Sequence, residues 1–107
     1  MLNTDNRLAP PISQHHFMTK HARDRLQQRG ISSLVVDWLY SYGARQYVKR
    51  NLIVIYFDRK ARKKLRRAVG SRIADLVSSQ LNAYIVVDQE TEGLITVGHR
   101  YKRIRST

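Results

Sequence analysis

Leu52-Ile53-Val54-Ile55-Tyr56-Phe57 is an unbroken apolar run, and its reading decides the fold. It is far shorter than the roughly 18 residues of a membrane span and has the length of a strand. Polar and apolar residues do not alternate along it, so both of its faces are expected to be covered. That places it centrally in a sheet. Upstream, Lys49-Arg50-Asn51 reads as a turn and Ala44 to Lys49 as a short strand. Downstream, Asp58 caps a helix over Arg59 to Gly70.

The chain before this hairpin is helical. Residues 31–43 carry a serine at the start, Gly43 at the end, and the stripe Leu34, Val35, Trp38, Leu39 and Tyr42, which is read as core. Residues 19–30 form a shorter helix. Thr19 caps its first free amides, and Gly30 supplies the left-handed turn that stops it. His21, Arg25 and Arg29 fall at i, i+4 and i+8 and share one face. Met18, Ala22 and Leu26 form an apolar stripe beside them. The two helices meet at Arg29-Gly30-Ile31-Ser32 in the outline of a helix-turn-helix. The second is too apolar to read a DNA groove.

After Asp58, seven of the nine residues from Arg59 to Arg67 are basic. Ala61, Leu65 and Ala68 dock this helix, and the rest is expected to face water. Like charges at this density repel, and a polyphosphate relieves them with release of counterions. The same face is also open to a bland reading as a solvated surface. Residues 71–81 read as one amphipathic helix with Ile73, Leu76, Val77 and Leu81 inward. Ala83 to Asp88 is a strand, and Gln89 to Gly93 is a hairpin turn with two of the eight acids. Leu94 to His99 is the returning strand. Alternation puts Ile95, Val97, His99 and Tyr101 on one side, with Thr96, Gly98 and Arg100 on the other. Residues 1–14, with both prolines, read as a flexible leader, and 15–107 as a single basic domain without internal repeats. The fold class expected is α+β, with N-terminal helices packed on a small, mostly antiparallel sheet.

Twenty Lys and Arg stand against eight acids, a net charge of +12 over 107 residues. That balance calls for an anionic partner, nucleic acid first, then an acidic protein. Arginine outnumbers lysine, which favours forked contacts to phosphate. With no cysteine there is no disulfide, thiolate nucleophile or cysteine-based zinc site, a composition that fits a reducing cytoplasm. No acid or cysteine completes a metal site around His15, His16 and His21, and no cofactor or metal is expected. A serine nucleophile elbow and a glycine-rich phosphate loop are both missing from the sequence. No membrane partner is expected.

Cleaving RNA without metal needs a base for the ribose 2′-hydroxyl, an acid for the leaving oxygen, and cations for the crowded phosphate. His21, Arg25, His99 and Arg100 are the candidate catalytic residues. Arg29, Lys60, Arg62, Lys63, Arg66, Arg67, Lys102 and Arg103 are the candidate nucleic-acid contacts. The reading requires the opening helix and the closing strand to meet around one anion pocket.

Three segments carry a resemblance: Thr19-Lys-His-Ala-Arg-Asp-Arg-Leu-Gln-Gln-Arg-Gly-Ile31, Tyr56-Phe-Asp-Arg-Lys-Ala-Arg62, and Leu94-Ile-Thr-Val-Gly-His-Arg-Tyr-Lys-Arg-Ile104. Together they resemble a small bacterial family catalogued as a domain of unknown function, over roughly residues 17–104. That family is similar in layout to the BrnT and RelE-type toxins, a layout shared with barnase. The resemblance implies a metal-independent ribonuclease or a degenerate relative, with His21, Arg25, Arg29, His99 and Arg100 at its motif positions. The expected function is therefore an endoribonuclease, the toxin of a bacterial toxin–antitoxin pair held by an acidic partner. The alternatives are a non-catalytic nucleic-acid-binding module and an adaptor for an acidic protein.

Overall fold

A computed structural model describes residues 18–100. The expected leader and His15, His16, Tyr101, Lys102 and Arg103 lie outside them. Two helices come first, α1 (Lys20–Arg29) and α2 (Ser33–Tyr42), followed by strands β1 (Ala44–Lys49) and β2 (Leu52–Tyr56). Helices α3 (Arg59–Val69) and α4 (Ser71–Leu76) and a 3₁₀ turn (Ser78–Gln80) lead to β3 (Ala83–Asp88) and β4 (Leu94–His99). The strands pair in sequence order, each antiparallel to the next, so β2 is central as expected. The result is a small α+β fold with the helices on one face of a four-stranded meander.

The element starts follow local chemistry. Thr19, Ser32 and Asp58 each accept a hydrogen bond from the backbone N–H three residues on, satisfying an orphan amide of α1, α2 and α3. Gly30 ends α1 in the left-handed region at φ 64°, with its N–H bonded to Gln27 O. Arg50 and Asn51 both take positive φ, the backbone a tight two-residue hairpin requires.

The core lies between the sheet and α1–α3. Val35, Val36 and Leu39 of α2 meet Ile53, Ile55, Ile85 and Val87 at the sheet centre, and α1 lies on β4 through Ala22 and Leu26. Leu65 and Ala61 dock α3, while Phe57 fills the gap at the end of β2.

Several expectations need correction. Strand β2 alternates, with Ile53 and Ile55 buried and Leu52, Val54 and Tyr56 half-buried, and no described helix covers its second face. Its apolar outer residues instead pair sideways, Val54 beside Val86 and Tyr56 beside Tyr84. In α2, Val36 is core and Leu34 is 41% exposed. In α3, Ala68 is exposed and Val69 packs on the core in its place. Residues 71–81 are not one helix. Gly70 at φ 93° re-aims the chain, and α4 stops at Leu76. Ala74 and Leu81 are then the buried residues, and Ile73 and Leu76 are 41% and 75% exposed. Finally, β4 holds a bulge. Val86 pairs with Thr96 and Val87 with Leu94, leaving Ile95 as the extra residue. Strict alternation therefore holds only from Thr96 onward.

Candidate nucleic-acid interface

Helix α1 is tied to β4 at both ends. At its start, the Thr19 N–H bonds to Leu94 O and its hydroxyl to Ile95 O, while Met18 bridges to Leu94. Within the first turn, His21 Nε2 is 3.3 Å from Thr96 Oγ1. At its end, His99 Nε2 is 3.0 Å from Arg29 O. From His21 to Arg29 the helix advances about 12 Å, and from Thr96 to His99 the strand advances about 10 Å. Helix and strand therefore run side by side in one direction, as two rails.

The opening helix and closing strand do meet. They do not bring both imidazoles to one phosphate. The rings are engaged roughly 10 Å apart along the rails, wider than one phosphate and two hydrogen bonds of about 3 Å. They also lie on different sides of β4. Thr96 pairs with half-buried Val86 on the outer face, and His99 with buried Ala83 on the core face.

His99 is held at both nitrogens. The Arg29 carbonyl only accepts, so Nε2 carries a proton and satisfies a C-terminal orphan carbonyl of α1. Nδ1 is 2.9 Å from Asn82 Oδ1. With the Asn82 amide as placed, an Nδ1–H donates to Oδ1; with the amide turned, its NH₂ donates to Nδ1. His21 is exposed, and its Nδ1 has no hydrogen-bond partner among the described residues.

Arg25, Gln28, Arg29 and His99 line an open cleft of about 570 Å³ between α1 and the end of β4. Neither guanidinium here has an ion-pair partner among the described residues. Asp24, the nearest acid in sequence, pairs with Lys20 instead at 3.2 Å.

Arg100 turns away from this cleft, as alternation predicts. Its Nη2 donates to Phe57 O at 2.6 Å, and its guanidinium lies 5.2 Å over the Tyr56 ring. Arg62 of α3 reaches the same carbonyl from the other side, Nε to Phe57 O at 3.5 Å, and donates from Nη2 to Leu81 O at 3.0 Å. Burial, and then the neighbouring Arg100 charge, pull the Arg62 pKa below its ordinary value.

All these groups share one end of the sheet, where β2 and β4 finish and β3 begins. Two groups gather there from three elements: Arg25 and Arg29 of α1 with His99 of β4 in the cleft, and Arg62 of α3 with Arg100, just past β4, at the Phe57 carbonyl. Elsewhere the acids are spent locally. Glu92 takes both terminal nitrogens of Arg45, Asp75 takes Arg66, and Asp58 and Asp88 bond backbone amides. Lys60, Lys63 and Arg67 project from the exposed side of α3 with no acid partner among the described residues. The sequence reading missed Gln28, Asn82 and Tyr56 as parts of this end, and Thr96 as the residue that meets His21. Only Asn82, a polar residue just before an apolar strand, carries a local signal.

No group of His, Cys, Asp and Glu able to hold a metal occurs among the described residues, and no described helix is long and apolar enough to cross a membrane. Comparisons with protein-family models, curated proteins and solved structures give no match.

Proposed function

We propose that the chain binds the phosphate backbone of nucleic acid, RNA foremost, at the basic end of its sheet. The observation that carries this reading is that two arginine pairs at one end of the sheet, Arg25 with Arg29 and Arg62 with Arg100, have no ion-pair partner among the described residues. Guanidinium forks match phosphate oxygens, and neutralising each phosphate releases a counterion. The α1/β4 cleft supplies the first contacts, with the lysines of α3 extending the field. The test is binding of fluorescent RNA and DNA oligonucleotides at several salt concentrations. Arg25→Gln and Arg29→Gln are each expected to lower affinity several-fold and to reduce the salt slope by about 1. If neither RNA nor DNA is bound at about 0.1 M salt, the reading fails and an acidic protein partner takes its place.

A second reading, metal-independent cleavage of the bound RNA as by a toxin, is favoured by His21. Its exposed ring stands one helical turn from Arg25 with Nδ1 open to a ribose hydroxyl. The same motif positions carry the family resemblance. In this reading an acidic antitoxin covers the cationic end. RNA cleaved in the presence of a chelator by the unaltered protein, but not by His21→Ala, is the expected outcome. RNA left intact by both leaves the binding reading alone.

A further inference from the structure

Arg62 and Arg100 are an unusual pair. They belong to α3 and to the residue after β4, yet their guanidiniums converge on one acceptor, the Phe57 carbonyl. Neither has a carboxylate within ion-pair distance among the described residues. Arg62 spends Nε and Nη2 on main-chain carbonyls, and Arg100 spends Nη2, which leaves Nη1 of each without an acceptor there. Arg100 Nε is shielded from solvent and unpaired. A single cation is enough to tie down a strand end. A second one aimed at the same carbonyl adds repulsion, which an anion seated between the two forks removes. The Tyr56 ring under Arg100 fixes the fork's plane. Beside it, the Tyr84 ring lies so close over Gly98 that an added Cβ there would be 2.9 Å from its hydroxyl oxygen.

We propose that Arg62 and Arg100 form a two-guanidinium clamp for one phosphodiester of a bound nucleic-acid strand. This deepens the binding reading above and rests on it. His99 and Arg100 are consecutive, with side chains on opposite sides of β4. A strand crossing the end of β4 therefore meets the α1/β4 cleft on one side and the clamp on the other. The phosphodiester offers two non-bridging oxygens to two planar forks, a match that a lysine pair does not reproduce.

The test compares the full chain with Arg62→Gln, Arg100→Gln, the double Gln variant and the double Lys variant. The probe is a fluorescent single-stranded oligoribonucleotide, read as affinity against salt. The double Gln variant is expected to bind at least tenfold more weakly, with the salt slope reduced by about 2. The double Lys variant is expected to keep the slope and still lose affinity, because charge remains and the forks are gone. An unchanged affinity and slope in the double Gln variant overturns the clamp while leaving the cleft reading intact. In case that variant does not fold, inorganic phosphate is titrated into the unaltered protein and the arginine side-chain N–H signals are followed by NMR. Saturable shifts at Arg62 and Arg100, reversed by the oligoribonucleotide, are expected. No shift at either residue, or shifts that the oligoribonucleotide leaves in place, overturns the proposal; the latter marks a site for a free small anion. If the unaltered protein binds no nucleic acid at all, the binding reading fails first, and the phosphate titration shows that separately.

Discussion

Gly43 follows α2 at φ −69°, ψ 154°, extended angles that any residue adopts. Its need for glycine is steric. A Cβ there would stand 2.6 Å from Ile55 Cγ2 and 2.6 Å from the Leu39 carbonyl, and the second neighbour is backbone that cannot step aside. Gly30 is the opposite case, with open space around a Cβ but φ at +64°. Gly43→Ala is expected to cost about 2–3 kcal/mol through overpacking, and Gly30→Ala about 1 kcal/mol through the left-handed backbone. Urea unfolding midpoints of the two variants check the ranking. Both glycines stood out in the sequence as helix stops. Only the packing separates a conformational stop from a steric one. The same holds for His99, whose type was legible while its clamp between Asn82 and Arg29 was not.

Among the elements, the β3–β4 turn shows how local chemistry fixes geometry. Asp88 accepts hydrogen bonds from the N–H groups of Glu90 and Thr91 at 2.8 and 3.0 Å, and Glu92 takes φ 62°. The Thr91 and then the Glu90 backbone bonds hold the Asp88 carboxyl below its usual 3.8. A depressed folded pKa means the turn's contribution is complete above that ordinary value. It is lost as pH falls through the lower folded value. Thermal unfolding of Asp88→Asn between pH 2 and 6 should therefore show a shallower loss of stability on the acid side than the unaltered chain. Superimposable acid limbs would exclude Asp88 as a contributor. The hairpin itself was readable from its turn residues. The bulge at Ile95 was not, because it depends on how Val86 and Val87 pair across the ladder. The face buried by α4 was equally hidden. Six residues give too little periodicity, and Gly70 sets their direction.

At the scale of the molecule, a net charge of +12 on 107 residues works against compaction. Only three ion pairs occur among the described residues, and exposed pairs of this kind add little. Raising sodium chloride from about 0.02 to about 0.3 M screens the repulsion. We expect a gain of about 1 kcal/mol, or on the order of 5 °C in Tm for a domain this size. A Tm that is flat or falls with salt would show that the cations are already neutralised within the fold. The same screening weakens nucleic-acid binding, so stability and affinity are expected to move in opposite directions with salt.

The sequence by itself determined the order of helices and strands, the three capped helix starts and the net positive charge. These follow from period, cap chemistry and charge, which act over a few neighbouring residues or over the whole sum. Tertiary structure alone decided which cations stand together. Arg62 and Arg100 meet because Phe57, just past the end of β2, lies beside the end of β4, and Arg62 of α3 reaches it and Leu81. It also decided that His21 and His99 are held on opposite sides of β4, since α1 runs beside the strand. Such meetings depend on register and docking between distant segments, and no local pattern records them.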